Sequence, residues 1–348
     1  MRTAVLYNFL IEATVMADIA ILLMMVVRQA WRRQIGNHAL GFGWLLIAAR
    51  LLLPVSLGNP WIHGIRSPFA AAPAIRPIAG QVLVRTRDMI SDAGSFLWRN
   101  GSTAGADMAD HMLREINRGH AGRWLMYLYL AGAGLVLGWM VVCNIRFRMQ
   151  LRAGQIEPLT GRKLDQYEAL CRERGVRPVP VILTDPLPSA CLVGVLRPYI
   201  ALPLTTPPSD VMPVLTHEIC HLKHHDHLWG LLRLACCVVH WFNPLVWLAA
   251  GMSRTDTELR CDDDVVNPMD DGQRRAYAHA LVMAAARRDA PGIAVLATGM
   301  TMPGKKLKAR VWTILEGKKP VRWLAVTFCV IAALCLIGAL ATSELPKG

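Results

Sequence analysis

The sequence predicts an α-helical integral membrane protein with four transmembrane helices and, between the third and the fourth, a cytoplasmic α+β domain. Three observations carry that prediction. The 348-residue chain is 53% hydrophobic and only 18% charged, with a mean hydropathy of +0.32, too apolar for an ordinary soluble domain. Four runs, about 4–27, 40–57, 124–145 and 323–342, approach or exceed the roughly 20 apolar residues that cross a bilayer. The formal charge of +13 is spread along the borders of these runs rather than gathered with aromatic residues on one segment. It therefore reads as a membrane-facing border and not as a nucleic-acid surface.

The first run carries Glu12 and Asp18 and meets no small-residue cleavage site before Arg28, so it reads as a retained helix rather than a signal peptide. Arg28, Arg32 and Arg33 follow it, Arg146, Arg148 and Arg152 follow the third run, and Lys318, Lys319 and Arg322 precede the fourth. Four spans place all three clusters on one side, the cytoplasmic side. The resulting division is 1–57 for spans one and two, 58–121 for an extracytoplasmic loop and 122–145 for span three. Residues 146–321 form the cytoplasmic domain, and 322–348 are span four with a short outer tail. Residues 146–322 hold 24 Lys+Arg against 17 Asp+Glu and seven of the eight lysines, whereas 58–121 hold no lysine, which supports the orientation. Glu12 and Arg50 fall at similar depth and are expected to pair, since charges within a span face a partner. The outer loop mixes Pro, Gly, Ala and Arg before a more helical stretch from Asp107 to Asn117 and offers little core, so it reads as a connector. None of the nine cysteines lies in it and none shows disulfide-framework spacing, which predicts reduced thiols.

Within the inside domain, residues 162–174 read as a helix stopped by Gly175. Val179 to Thr184 reads as a strand, and 190–193 with 199–202 as a hairpin around Gly194 to Pro198. Ser209 and Asp210 are suited to cap a helix running to Leu222, with Pro213 in its first turn. That helix contains His217-Glu218-Ile219-Cys220-His221. A spacing of four puts both imidazoles on one face, where they can bind one zinc ion, and sets Glu218 beside the open position. Catalytic zinc needs a third protein ligand. Glu258, 37 residues past His221, would complete a His, His, Glu set if its helix packs against the first. Asp262, one helical turn on, could accept the free N–H of a liganding histidine. The apolar stretch from Leu228 to Met252 is interrupted by Arg233, His240 and Asn243-Pro244. A true crossing there would separate Glu258 from His217, so it reads as a buried or half-embedded helical hairpin. His240 and Asn243 are candidates for stabilising the oxyanion of a transition state, and equally for structural residues of the hairpin turn. Cys220 and Cys261 read as rim or core residues rather than ligands. Lys305 to Arg310, with Lys318 and Lys319, reads as a membrane-surface or solvated face.

Several ordered stretches resemble the BlaR/MecR family of antirepressor peptidases. They are ARLLLPVSL closing span two, GVLRPYIALP, HEICHLKHHD, HWFNPLVW, ELRCDDDVV, YAHALVMAA and LKARVWTIL. The resemblance covers about residues 4–57 and 124–342. It implies a multispanning bacterial cell-membrane protein whose cytoplasmic domain is a gluzincin-type zinc metalloprotease, with His217, His221 and Glu258 as Zn2+ ligands and Glu218 as catalytic base. It further implies a signal transducer that cleaves a cytosolic DNA-binding repressor, itself, or both. In the antibiotic receptors of this family the last span leads to an outer penicillin-binding domain with an S-x-x-K nucleophile, whereas here SELPKG follows. The short, sensorless form is therefore expected, with the signal entering through 58–121, the membrane helices or a partner protein.

The expected partners are a protein substrate, the lipid bilayer and a second copy in a homodimer, with no direct contact to nucleic acid. Either strand of the 190–202 hairpin could hold an extended peptide by its edge, and 290–304 is loop-like enough for self-cleavage. Two other functions compete: a zinc protease of general membrane-protein quality control, and a non-catalytic transducer with a structural metal. A structural site has no need of Glu218.

Overall fold

The computed structural model describes residues 2–53, 120–154, 156–185, 187, 189–286, 304–316 and 320–341. Among these, α1 (Arg2–Ile35), α2 (Asn37–Leu52) and α3 (His120–Ala153) precede a small mixed unit. That unit runs β1 (Ile156–Pro158), α4 (Arg162–Arg174), β2 (Val181–Thr184), β3 (Cys191–Val193), β4 (Tyr199–Pro203) and α5 (Val211–Lys223). Then follow α6 (Asp226–Val239), α7 (Pro244–Val266), α8 (Asp271–Ala286), α9 (Gly304–Glu316) and α10 (Arg322–Ala341). The outer loop with its expected helical stretch, residues 287–303 and the tail from 342 lie outside the described residues, as does the side chain of Glu12. The Glu12–Arg50 pairing is thus not described, although Arg50 is buried.

Among the described residues two helices are long and apolar enough to cross a membrane, Thr14–Ile35 and Met126–Ala153, and Arg322–Ile337 is a shorter apolar helix. They leave Leu23, Val26, Leu128, Leu135, Val330 and Leu334 exposed. The hairpin expected between 228 and 252 is present as α6 and the first half of α7. Its turn is set locally. Asn243 accepts a hydrogen bond from the Leu245 N–H at 2.9 Å, and Pro244 sits in the first turn of α7, where its missing N–H costs nothing. The hairpin packs into the helical bundle, with Cys236, Cys237, Val246 and Ala249 sharing a buried cluster with Ile21, Leu40, Trp44, Leu51 and Met140. Gly132 on α3 gives the indole of Trp241 its space, since a Cβ there would run into the ring.

The sheet has the order β1-β2-β4-β3. β2 and β4 are parallel, while the β1–β2 and β3–β4 pairs are antiparallel. The β3–β4 hairpin turns at Gly194, φ 97°, where a Cβ would lie 2.6 Å from the Arg197 carbonyl oxygen; only glycine fits without strain. β4 lies between β2 and β3, so among the described residues only β3 of the two hairpin strands has a free edge. The domain core joins sheet to helices through Tyr167, Cys171, Ile200, Leu202, Leu215 and Ile219. Another cluster, Cys220, Cys261, Val265, Tyr277 and Ile314, locks α5, α7, α8 and α9 together.

Candidate metal centre

α5 and α7 pack side by side, so residues spaced by four on each can face one another. His217 and His221 bring their Nε2 atoms to 3.1 Å. Glu258 sends Oε2 to within 3.6 Å of the first and Oε1 to within 3.8 Å of the second. These three residues are one of the groups whose donor atoms are close enough to share an ion.

The far side of each imidazole is committed. His221 donates from Nδ1 to Asp226 Oδ2 at 2.7 Å. His217 donates from Nδ1 to the Tyr277 hydroxyl oxygen at 3.0 Å, and that hydroxyl donates to Asp262 Oδ1 at 2.9 Å. Asp262 Oδ1 is itself 3.3 Å from His217 Nδ1. With both Nδ1 atoms carrying protons, neutral rings aim two Nε2 lone pairs at each other beside a carboxylate. Lone pairs repel unless a cation lies between them. Tetrahedral zinc at about 2.05 Å from each ligand would hold its donors roughly 3.3 Å apart, close to the separations found, so the residues fit the group.

The metal-free electrostatics agree. Burial opposes a charge on His217, but hydrogen bonding to Asp262 and Glu258 outweighs it and lifts the pKa to about 9. Burial pushes Glu258 up too, yet His217, His221 and Arg310 hold it well below the usual carboxylate range. A pocket that retains a proton this firmly is one built for positive charge. Glu218 lies on the same helix, buried, and burial raises its carboxyl against the attraction of His221 and His217.

Three participants were not legible in the sequence. Arg310, assigned to a solvated basic face, is instead 4% exposed; it donates to Asp262 from Nε at 2.6 Å and Nη2 at 2.7 Å, with Nη1 3.3 Å from Glu258 Oε2. Although burial raises Asp262, this guanidinium brings its pKa down to about 2. Tyr277, from the YAHALVMAA helix, bridges His217 and Asp262. Asp226, five residues past His221, also accepts from Arg260. The sequence sign of it is the HHD, His224 to Asp226, that follows the motif.

His240 and Asn243 are not brought to these donors. His240 is fully buried, with Nδ1 3.2 Å from the Thr14 hydroxyl and Nε2 3.1 Å from the Leu51 carbonyl. Asn243 donates to Asp18 at 2.7 Å. Both fasten the hairpin turn to α1 and α2, and fifteen helical residues put the N-cap Asn243 roughly 22 Å from Glu258 along α7. Cys261 Sγ lies 3.2 Å from His221 Nδ1 and 3.5 Å from Asp226 Oδ2, on the Nδ1 side of the ring. Burial and Asp226 push its thiol pKa well up, which keeps it a donor to the carboxylate rather than a thiolate ligand.

A family model described as BlaR1 peptidase M56 matches residues 8–314. The chain belongs to this family. Among curated proteins, this M56 chain is 28% identical over 190 residues to a Regulatory protein BlaR1 of Bacillus licheniformis, covering 52% of the chain and 32% of that relative. It is 19% identical over 284 residues to Methicillin resistance mecR1 proteins of Staphylococcus aureus and Staphylococcus epidermidis, covering 80% of the chain and 46% of each relative. The chain thus spans about a third to just under half of the length of these relatives. M56 membership implies a metallopeptidase and a metal, and the His217, His221 and Glu258 group offers a place for one.

Proposed function

We propose that this M56 protein is a membrane-embedded zinc endopeptidase of the gluzincin type that transduces a cell-envelope signal by cutting a cytosolic protein, a DNA-binding repressor or its own chain. His217, His221 and Glu258 would hold the zinc. The observation that carries the reading is the convergence of two imidazole lone pairs and a carboxylate, with both Nδ1 atoms tied behind them. When bound, zinc would polarise a scissile carbonyl and lower the pKa of a water to roughly 7. Glu218 takes that water's proton and passes it to the departing amine, and its raised pKa suits it to hold the proton in between. Asp226, Tyr277 and Asp262 fix the ring orientations, and Arg310 orients Glu258 and Asp262. The β3 edge offers main-chain groups to an extended substrate segment.

The four-span topology with a cytoplasmic domain is part of the proposal. Two apolar helices of spanning length and the apolar exterior of α10 support it. The basic borders also share a level with the domain. Arg28 donates to Asp256, the Val321 N–H at the start of α10 donates to the Gln34 carbonyl at 2.7 Å, and Leu151 near the end of α3 packs with Cys191 and Val193.

Replacing Glu218 by Gln should leave bound zinc unchanged and slow cleavage of a reconstituted substrate by about 10²–10⁴-fold, the usual contribution of a general base. Undiminished cleavage would refute the assignment. The same variant, used as a trap in membranes, should retain one DNA-binding repressor. Capture of many misfolded membrane proteins would mean quality control instead.

A further inference from the structure

A second group of donors lies at the junction between α2, the α5–α6 turn and the last turn of α7. His38 is in the first turn of α2, His224 directly follows α5, and Asp264 closes the acidic run of α7. His38 Nε2 is 2.9 Å from Asp264 Oδ1, and His224 Nε2 is 2.5 Å from Asp264 Oδ2. The two rings meet edge to face with centroids 5.5 Å apart, and their ligand atoms and the carboxylate all lie within 4.8 Å of one another. None of these residues takes part in the first centre.

We propose that His38, His224 and Asp264 form a second divalent-metal site, of the zinc class, that staples α2 to the peptidase domain. Two imidazoles and one carboxylate are the donor set that borderline ions such as Zn2+ accept. The two histidine-to-carboxylate separations, 2.9 and 2.5 Å, sit below the roughly 3.3 Å that a tetrahedral ion imposes, and with all the donors within 4.8 Å of one another side-chain rotations admit the metal. The local field favours a cation. Asp262, Asp263 and Asp264 crowd the C-terminal end of α7, where the helix dipole is negative, and their neutralisation is uneven. Asp262 is matched by Arg310. Asp263 faces the Asn37 amide, an uncharged donor, at 2.7 Å. Arg174, the nearby guanidinium, reaches the backbone oxygen of Asp264 rather than its carboxylate. The carboxylate of Asp264 is left to the two histidines. His38 is 55% exposed in its side chain, so an ion and its remaining water ligands have open access from solvent.

The site stands apart from the peptidase reading and survives its failure. Full-length protein in detergent, stripped with chelator, re-equilibrated with Zn2+ and desalted, is expected to hold two equivalents per chain by elemental analysis. His38→Gln and Asp264→Asn should each lose one equivalent and keep the other, while His217→Ala should lose the other and keep this one. Because His38 is largely exposed, its variant should keep the wild-type circular dichroism, which separates loss of a ligand from loss of the fold. In the wild type, added Zn2+ should also raise the melting temperature by more than it does in His38→Gln. A zinc content unaltered by both His38→Gln and Asp264→Asn would overturn the proposal and reduce the cluster to a carboxylate shared by two histidines.

Discussion

Replacing Arg310 by Met should destabilise the protein far more than its place in a lysine-rich stretch suggests. The side chain occupies a similar volume but removes the guanidinium that donates two hydrogen bonds to Asp262, a carboxylate with no exposure in its side chain, and leaves it only the weaker ionic contact with His217. Taking one partner from a buried ion pair strands the other charge, at about 3–5 kcal/mol. For a domain of 150–250 residues each kcal/mol moves the melting temperature by roughly 2–4 °C, so the expected fall is roughly 6–20 °C. A basic residue on a solvated face would shift stability by no more than about 0.5 kcal/mol, or about 2 °C. The measurement is thermal unfolding of chelator-treated protein in detergent, which removes metal binding from the comparison. A double variant, Arg310→Met with Asp262→Asn, tests the mechanism, because the neutral amide no longer needs a counter-charge and can still accept from Tyr277. It should recover more than half of the loss. A single variant within about 2 °C of wild type, or a double variant no more stable than Arg310→Met, would refute the reasoning.

Three further outcomes follow from the same geometry. Zinc uptake at the first centre, isolated in a His38→Gln background, must displace the proton that His217 holds up to a pKa of about 9; affinity should rise about tenfold per pH unit from roughly 7 to 9 and then level, and levelling near pH 6.5 would contradict the geometry. The sign for stability is opposite for the two charged partners: in metal-free protein the His217 contribution is complete below about pH 6.5 and lost as pH rises through about 9, whereas that of Asp262 is present above about pH 4 and lost as pH falls through about 2, which acid and alkaline melts would resolve. Gly132→Ala should push the Trp241 indole off α3 and break its hydrogen bond to the Tyr129 carbonyl, costing about 1–3 kcal/mol and moving Trp241 fluorescence; an unchanged melt would mean the hairpin is not seated on α3.

Local signals carried much of the fold. The helix 162–174 ended at Gly175 because that residue takes φ 66°, and the hairpin pivoted at Gly194 for the same reason. The His217, His221 and Glu258 group was legible because helical spacing alone aligns the first two, and because only a helix returning alongside them could use the third. What stayed hidden depends on tertiary contacts that leave no periodic trace. Arg310 sits between Lys308, which is exposed, and an apolar segment, so composition cannot say which basic side chain turns inward. His240 and Asn243 were attractive because polar residues in an apolar stretch demand a reason. Their partners, Thr14, Leu51 and Asp18, are more than 180 residues away in sequence, and no local rule selects them over the metal centre.

α7 explains why these distant parts form one object. Its 23 residues, roughly 34 Å of helix, begin in the apolar bundle with Val246 and Ala249 and pass Asp256, Glu258, Asp262 and Asp264 before ending at Val266. Asp256 is buried and accepts from Arg28 Nε at 2.8 and 2.9 Å and from Trp44 Nε1 at 2.9 Å. The carboxylate that binds α1 and α2 therefore lies two residues from Glu258 on a single rigid rod. A stiff helix cannot shift at one of these positions and stay fixed at the other, because its i to i−4 hydrogen bonds fix the rise between them. Any displacement of α1 relative to α2 that moves Asp256 must alter the Glu258 separations from His217 and His221 or bend the helix. The geometry of the candidate metal centre is thus set as much by α1 and α2 as by the elements that carry its donors.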